Sequence, residues 1–134
     1  TNADIIQYRL TQMPKWQEKR NQIASIYAEE LKYDVICQNV PQELSHNFHK
    51  FVIRFEDKEQ RKRVKEGLKS IGLNASIHYE KPLSKNSLYI TEHHRKDKCT
   101  NSQIASDTVM SLPIHAWLTE EETGKICNTI MMMT

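Results

Sequence analysis

Few side chains in this sequence have the types and spacing that chemistry requires. The segment His78-Tyr79-Glu80-Lys81-Pro82-Leu83 holds the best candidate. His78 falls on the non-core face at the end of a predicted strand, beside a turn closed by Pro82. A side chain there can be aimed at a partner surface. The plain alternative is a solvent-facing histidine with no special role. His93 and His94, with Cys99, are metal-ligand types. One adjacent pair and a lone cysteine do not build the three or four convergent ligands that zinc takes. A solvated loop is the expectation there, and no metal site.

Two other groups invite a nucleic-acid reading and resist it. Lys58, Arg61, Lys62, Arg63, Lys65 and Lys69 make one predicted helix basic, but Glu59 and Glu66 are interspersed, so the segment reads as a solvated face. Lys50-Phe51-Val52-Ile53-Arg54-Phe55 has the aromatic spacing of a strand that stacks RNA bases. It lacks the glycine of that signature, and Phe51 and Phe55 share a face with Ile53, so core is the better reading. No Gly-x-Ser-x-Gly nucleophile turn and no Walker phosphate loop occurs. Only three glycines, Gly67, Gly72 and Gly124, are present, which leaves little backbone for wrapping a phosphate.

The bulk properties narrow the class further. A chain of 134 residues is one domain by size, with enough length for a real core. A net charge of +2 is too even to argue for nucleic acid or a membrane surface. No run of about 18 apolar residues suggests a transmembrane span, and no secretory segment is evident. Cys37, Cys99 and Cys127 are odd in number and widely spaced, which argues against a disulfide framework and for a reducing cytoplasm.

The elements that must position these residues follow from periodicity. Ile6, Leu10 and Met13, with Ile5 alongside, predict a helix already running near the start, with no convincing cap. Pro14 suits the first turn of a second helix, which runs to about Leu31 with Trp16, Ile23, Tyr27 and Leu31 on one stripe. Residues 34–46 are expected to be extended or looped. His49 to Phe55 alternates, with His49, Phe51, Ile53 and Phe55 on one face. Asp57 then caps a helix carrying Val64, Leu68 and Ile71, which Gly72 stops. A strand from Leu73 to Tyr79 is predicted to send Leu73, Ala75, Ile77 and Tyr79 to the core, leaving Asn74, Ser76 and His78 opposite. Residues 84–100 read as a polar surface loop, and Thr100 with Gln103 as the cap of a short helix carrying Ile104, Thr108 and Val109.

From Val109 to Glu122 each residue type has a local job. Val109, Met110, Leu112 and Ile114 make an apolar strand that Pro113 keeps short, at an edge or irregular. Thr119 and Glu122 form a capping box, and three glutamates in the first turn suit the helix dipole. The last helix uses Ile126, Cys127, Ile130 and Met131. The predicted fold class is α/β: a small sheet of about three strands packed with helices. Long amphipathic helices at the start must find apolar partners in this chain or in another.

Together these stretches resemble the C-terminal small domain of the DegT/DnrJ/StrS family of PLP-dependent sugar aminotransferases, over nearly the whole chain. Leu10, Met13, Trp16 and Arg20, then Ala24, Tyr27 and Leu31, are similar to the helix leading from the large domain into the small one. His49-Lys50-Phe51-Val52-Ile53-Arg54 is similar to a "His-x-Tyr/Phe-Val-Ile-Arg" strand. Leu68 to Leu73, followed by His78-Tyr79 and Pro82-Leu83, resembles "L-x-x-x-Gly-Ile…His-Tyr-x-x-Pro-Leu-His". Val109 to Glu122 resembles "Leu-Ser-Leu-Pro-x-x-x-x-Leu-Thr-x-Glu-Glu".

The resemblance implies a fold-type I small domain. Residues 1–31 would lead from a missing large domain and residues 32–134 would form the small α/β domain. It implies a parent enzyme that moves an amino group from an amino acid, glutamate being the expected donor, to a keto-sugar nucleotide, with PLP as electron sink. The parent is expected to be a cytoplasmic homodimer. The Schiff-base lysine, the aspartate under the pyridine nitrogen and the phosphate cup belong to the large domain. No catalytic, cofactor-binding or metal residue is therefore expected on this chain, which reads as a fragment or excised domain, inactive and without PLP alone. His78 and Tyr79 match the family motif and are expected nearest the substrate. Ser84 stands where the family has His after Pro-Leu, so no contact of that histidine carries over. The alternative is a non-catalytic binding module for a nucleotide-sugar or a protein partner.

Overall fold

Alternation in the middle strand organises the core. The computed structural model describes residues 1–88, 90 and 99–134. In β2 (Phe51–Arg54), Phe51 and Ile53 are buried while Arg54 is exposed, and Phe55 continues the buried face beyond the strand. Strand β3 (Val109–Leu112) pairs antiparallel to it, with Phe51 opposite Leu112 and Ile53 opposite Met110, so four apolar side chains share one face. On the other side, β1 (Ile36–Cys37) pairs antiparallel with Arg54 and Ile53. The described sheet thus has the order β1-β2-β3 with β2 central.

The helices cover that face. Those lying wholly within the described residues are α1 (Asn2–Glu30), α2 (Lys58–Ser70), α3 (Thr100–Thr108) and α4 (Glu120–Met133), with a 3-10 turn at Leu83–Lys85. Helix α2 packs on α4, α1 on α4 and α3 on α2. Tyr27, Leu31, Val64, Leu68, Ile126 and Ile130 meet Phe51, Ile53 and Met110 in one core. Helix α2 starts where Asp57 accepts from the Gln60 N–H at 2.7 Å, and Gly72 follows its end at φ 80°. That left-handed backbone favours glycine. The Leu73 N–H then returns to the Leu68 carbonyl at 2.9 Å.

Several expectations need correcting. The first two predicted helices are one: α1 runs through Pro14, which forfeits a single intrahelical hydrogen bond on an exposed stretch with helix formers on both sides. Its first turn is capped, since the Thr1 hydroxyl accepts from the Asp4 N–H at 3.3 Å. The predicted strand at 73–79 is reduced to one bridge between Ser76 and Ser111. Pro113 interrupts the edge of β3 just past that bridge, leaving no ladder to extend. Consequently Tyr79 is 73% exposed rather than in the core, and Ile77 is half-buried. His49 is exposed because the strand begins only at Phe51. Cys99, not Thr100, occupies the cap position of α3, without a side-chain hydrogen bond. Ile71 and Ile104 are exposed, at the end of α2 and on the outer side of α3.

The handover from β3 to α4 is as expected. The Thr119 hydroxyl accepts from the Glu122 N–H at 3.1 Å, and the Glu122 carboxylate accepts from the Thr119 N–H at 2.9 Å. The Thr119 N–H and hydroxyl hold the Glu122 carboxyl below its ordinary pKa. Its contribution to stability is therefore complete above the ordinary carboxylate range and fades as pH falls through the lowered value. Thr119→Ala is expected to lower unfolding free energy by about 1 kcal/mol, read as a shift of the urea midpoint at unchanged slope.

Candidate functional site

The segment after Gly72 is too short of partners to become a strand, so it leaves the sheet and walls a groove. His78, Tyr79, Pro82, Leu83 and Ser84 form one side of that groove, and Ser102, Ala105 and Val109 on α3 and β3 form the other; its volume is about 940 Å³. Both residues singled out from sequence line it. So does Ser84, where the resemblance would have placed a histidine. Cys99 lines it too, while His93 and His94 lie outside the described residues.

His78 is held from behind. Its Nδ1 lies 3.0 Å from the Ser111 Oγ, and Ser111 is buried. The Ser111 backbone also exchanges two hydrogen bonds with Ser76, at 2.8 and 3.0 Å. A smaller crevice of about 190 Å³ lies on the other side of His78, bounded by His49, Lys50, Asn74, Ser76 and Ser111. Tyr79 stands edge-on to the His78 ring at 5.7 Å, and the Lys50 ammonium sits 5.8 Å from the Tyr79 ring centre. That distance is within cation–π range and gives an exposed tyrosine a fixed neighbour.

Sequence reasoning missed Ser111 and the α3 wall. A signal for Ser111 was available: it alternates with Met110 and Leu112 in the predicted strand, so it had to face away from the core, on the side assigned to His78. For α3 there was none, because which helix closes a groove is decided by packing between distant segments. The basic helix was misread at one position. Arg61 is buried, and its guanidinium donates to the Ser106 and Val109 carbonyls at 2.6 and 3.3 Å.

The Tyr27 hydroxyl donates to the Pro113 carbonyl at 2.8 Å, and burial, reinforced by Cys127 and Glu122, pushes its pKa far up. Burial chiefly, then Glu30 and Cys37, pushes the Cys127 thiol from 9.0 to about 11. A raised folded pKa means the stabilisation is complete below the unfolded value and is lost as pH rises through the folded one. Between pH 9 and about 11 the protein is expected to lose stability. Cys127→Ala should flatten that alkaline limb in a series of urea melts at stepped pH.

A second feature is an uncovered surface. Ile5, Ile6, Tyr8, Leu10 and Met13 on the first half of α1 are each about half exposed or more. The apolar partners that the sequence calls for are not supplied by the described residues. No described helix is long and apolar enough to cross a membrane.

A long helix feeding a three-stranded antiparallel sheet under three shorter helices is the architecture of one part of the sugar aminotransferases. The chain belongs to the DegT/DnrJ/EryC1/StrS aminotransferase family, whose pattern matches residues 1–131. It is 26% identical over 129 residues to a UDP-N-acetyl-3-dehydro-alpha-D-glucosamine 3-aminotransferase of Acidithiobacillus ferrooxidans, covering 96% of this chain and 34% of that one. A family aminotransferase from Brucella abortus superposes with a TM-score of 0.81 at 26% identity, over 92% of this chain and 32% of its own. A Streptococcus pneumoniae protein described as a sugar aminotransferase, solved in a PLP form, shares the fold with a TM-score of 0.84 at 21% identity, over 94% and 33%. The chain thus spans about one third of the length of the relatives it matches.

The groove does not fit PLP by itself. Its lining includes Lys81, which is exposed, and among the described residues it includes no aspartate to pair with a pyridine nitrogen. None of the three glycines lines it. Gly67 lies in α2 against the Met133 side chain, Gly72 ends that helix and Gly124 lies within α4.

Proposed function

We propose that this chain is the C-terminal part of a PLP-dependent aminotransferase that transfers an amino group from an amino acid, glutamate by preference, to a keto-sugar nucleotide. One observation carries the reading: the family match runs through residues 1–131, while the chain spans only about a third of its relatives. The remaining two thirds are where a lysine, an acidic partner and a phosphate cradle would have to lie. In this reading residues 1–31 lead in from a large domain, residues 32–134 form the small domain, and the apolar face of α1 is covered by the large domain. The parent enzyme is a cytoplasmic homodimer.

Within that enzyme the chain's own work is binding and orientation. His78 and Tyr79 lie at the substrate side, where an imidazole N–H and a phenol O–H hold acceptor oxygens of the substrate. Leu83, Ala105 and Val109 provide apolar wall that keeps water from the groove. PLP, held by the large domain, supplies the electron sink. The 134-residue chain titrated with PLP is expected to show no lysine-bound absorbance band and no single stoichiometric adduct after borohydride treatment. One such adduct on a defined lysine of this chain would falsify the division of labour. Titration with a nucleotide-sugar separates the alternative: saturable binding by the chain alone would make it a binding module.

A further inference from the structure

We infer that Ser111 is the positioning residue for His78, and that its hydroxyl donates to Nδ1 so that the ring presents a protonated Nε2 as a donor to the groove. Three contacts from one residue fix the segment: two backbone hydrogen bonds to Ser76, and the hydroxyl 3.0 Å from the His78 Nδ1. The direction of the last bond follows from burial. Ser111 is only 6% exposed, and among the described residues its hydroxyl has no second partner. Were Nδ1 to carry the proton, the serine proton would find no acceptor among the described residues and would face only the small crevice that Ser111 lines, a less favourable arrangement. Donation from Ser111 satisfies the hydroxyl and leaves Nδ1 as the acceptor. In the neutral ring the proton then sits on Nε2.

The consequence is a preference for ligand chemistry. A neutral imidazole presenting an N–H selects a group with an exposed oxygen acceptor, such as a keto oxygen, a carboxylate or a phosphoryl oxygen. It disfavours an ammonium or another donor at that position. Lys50 shares the smaller crevice with His78 and adds positive charge behind the ring, where among the described residues no acidic side chain lines that crevice, while Glu80 and Lys81 offset each other in the groove itself. The inference deepens the assignment of His78 to the substrate side.

The test uses the 134-residue chain with ring-15N-labelled histidine, observed with the imidazole ring in its neutral form. In the native chain Nδ1 of His78 should resonate as the unprotonated nitrogen and Nε2 as the protonated one. Ser111→Thr keeps the hydroxyl and should keep both signals. Ser111→Val matches threonine in shape without the hydroxyl, and Ser111→Ala removes it with less bulk. In these two, Nδ1 should move upfield and Nε2 downfield toward the mixture of a free ring, with the amide spectrum of the core unchanged. Identical ring signals in the threonine, valine and alanine variants would overturn the inference, as would a protonated Nδ1 in the native chain. Because the readout needs no substrate, it fails or succeeds independently of the aminotransferase reading, which the PLP and nucleotide-sugar titrations decide.

Discussion

Replacing Tyr27 by alanine is expected to cost about 3–5 kcal/mol of unfolding free energy, the range for removing a large buried aromatic ring. Tyr27 has no exposed surface, its ring centre lies 5.3 Å from that of Phe51, and its hydroxyl donates to the Pro113 carbonyl at 2.8 Å. The residue therefore ties α1 both to the middle strand and to the turn that ends β3. Small domains have about 5–15 kcal/mol in total, so the alanine variant should be largely unfolded at modest urea. Tyr27→Phe separates the two roles. It keeps the ring and loses one hydrogen bond, an expected cost of about 1 kcal/mol. Urea melts followed by far-ultraviolet circular dichroism and by tryptophan fluorescence should give coincident transitions for both variants. If the phenylalanine variant cost as much as alanine, the hydroxyl rather than the ring would be the anchor.

That tyrosine was legible in the sequence, and the reason shows what such reading can reach. Ile23, Tyr27 and Leu31 recur at helical spacing, so their burial follows from local periodicity alone. The same holds for Phe51 and Ile53 at strand spacing, for Val64 and Leu68 in α2, and for the Thr119–Glu122 box. What failed depended on neighbours. Leu73 to Tyr79 alternates well enough to be a strand, but a strand needs an edge, and Pro113 removes it after one bridge. The edge that does exist is taken by Ile36 and Cys37, too short to show any period. Pro14 reads as a helix start by itself, yet the residues around it favour helix strongly enough to carry the turn through. His78 was singled out by its place on the non-core face beside Pro82, and Tyr79 only through the family motif. The same alternation that misplaced Tyr79 in the core correctly set His78 on the opposite side. Ser111, which holds the histidine, had a visible position but no visible purpose.

The sharpest departure from the sequence reading gives the second large effect. Arg61→Met is expected to cost about 2–3 kcal/mol, whereas Lys62→Met, one residue along and exposed, should stay within about 0.5 kcal/mol. From composition the two residues are alike, part of one basic helix with interspersed glutamates. In the fold only Arg61 turns inward, where it reaches the Ser106 and Val109 carbonyls at 2.6 and 3.3 Å. Ser106 lies in the last turn of α3, where carbonyls lack helical partners and the dipole is negative, so a cation is the favoured cap. Methionine fills similar volume but leaves both carbonyls unmet. Lysine retains the charge with a single nitrogen, so Arg61→Lys should recover part of the loss. The effect should also travel, because Val109 lines the groove and lies two residues before Ser111. Arg61→Met is therefore expected to speed amide exchange in α3 and at Ser111 more than in α4, and to broaden the His78 ring signals. Equal cost at positions 61 and 62 would restore the solvated-helix reading. A cost at 61 without any change at Ser111 would confine the arginine to capping α3 and detach it from the groove.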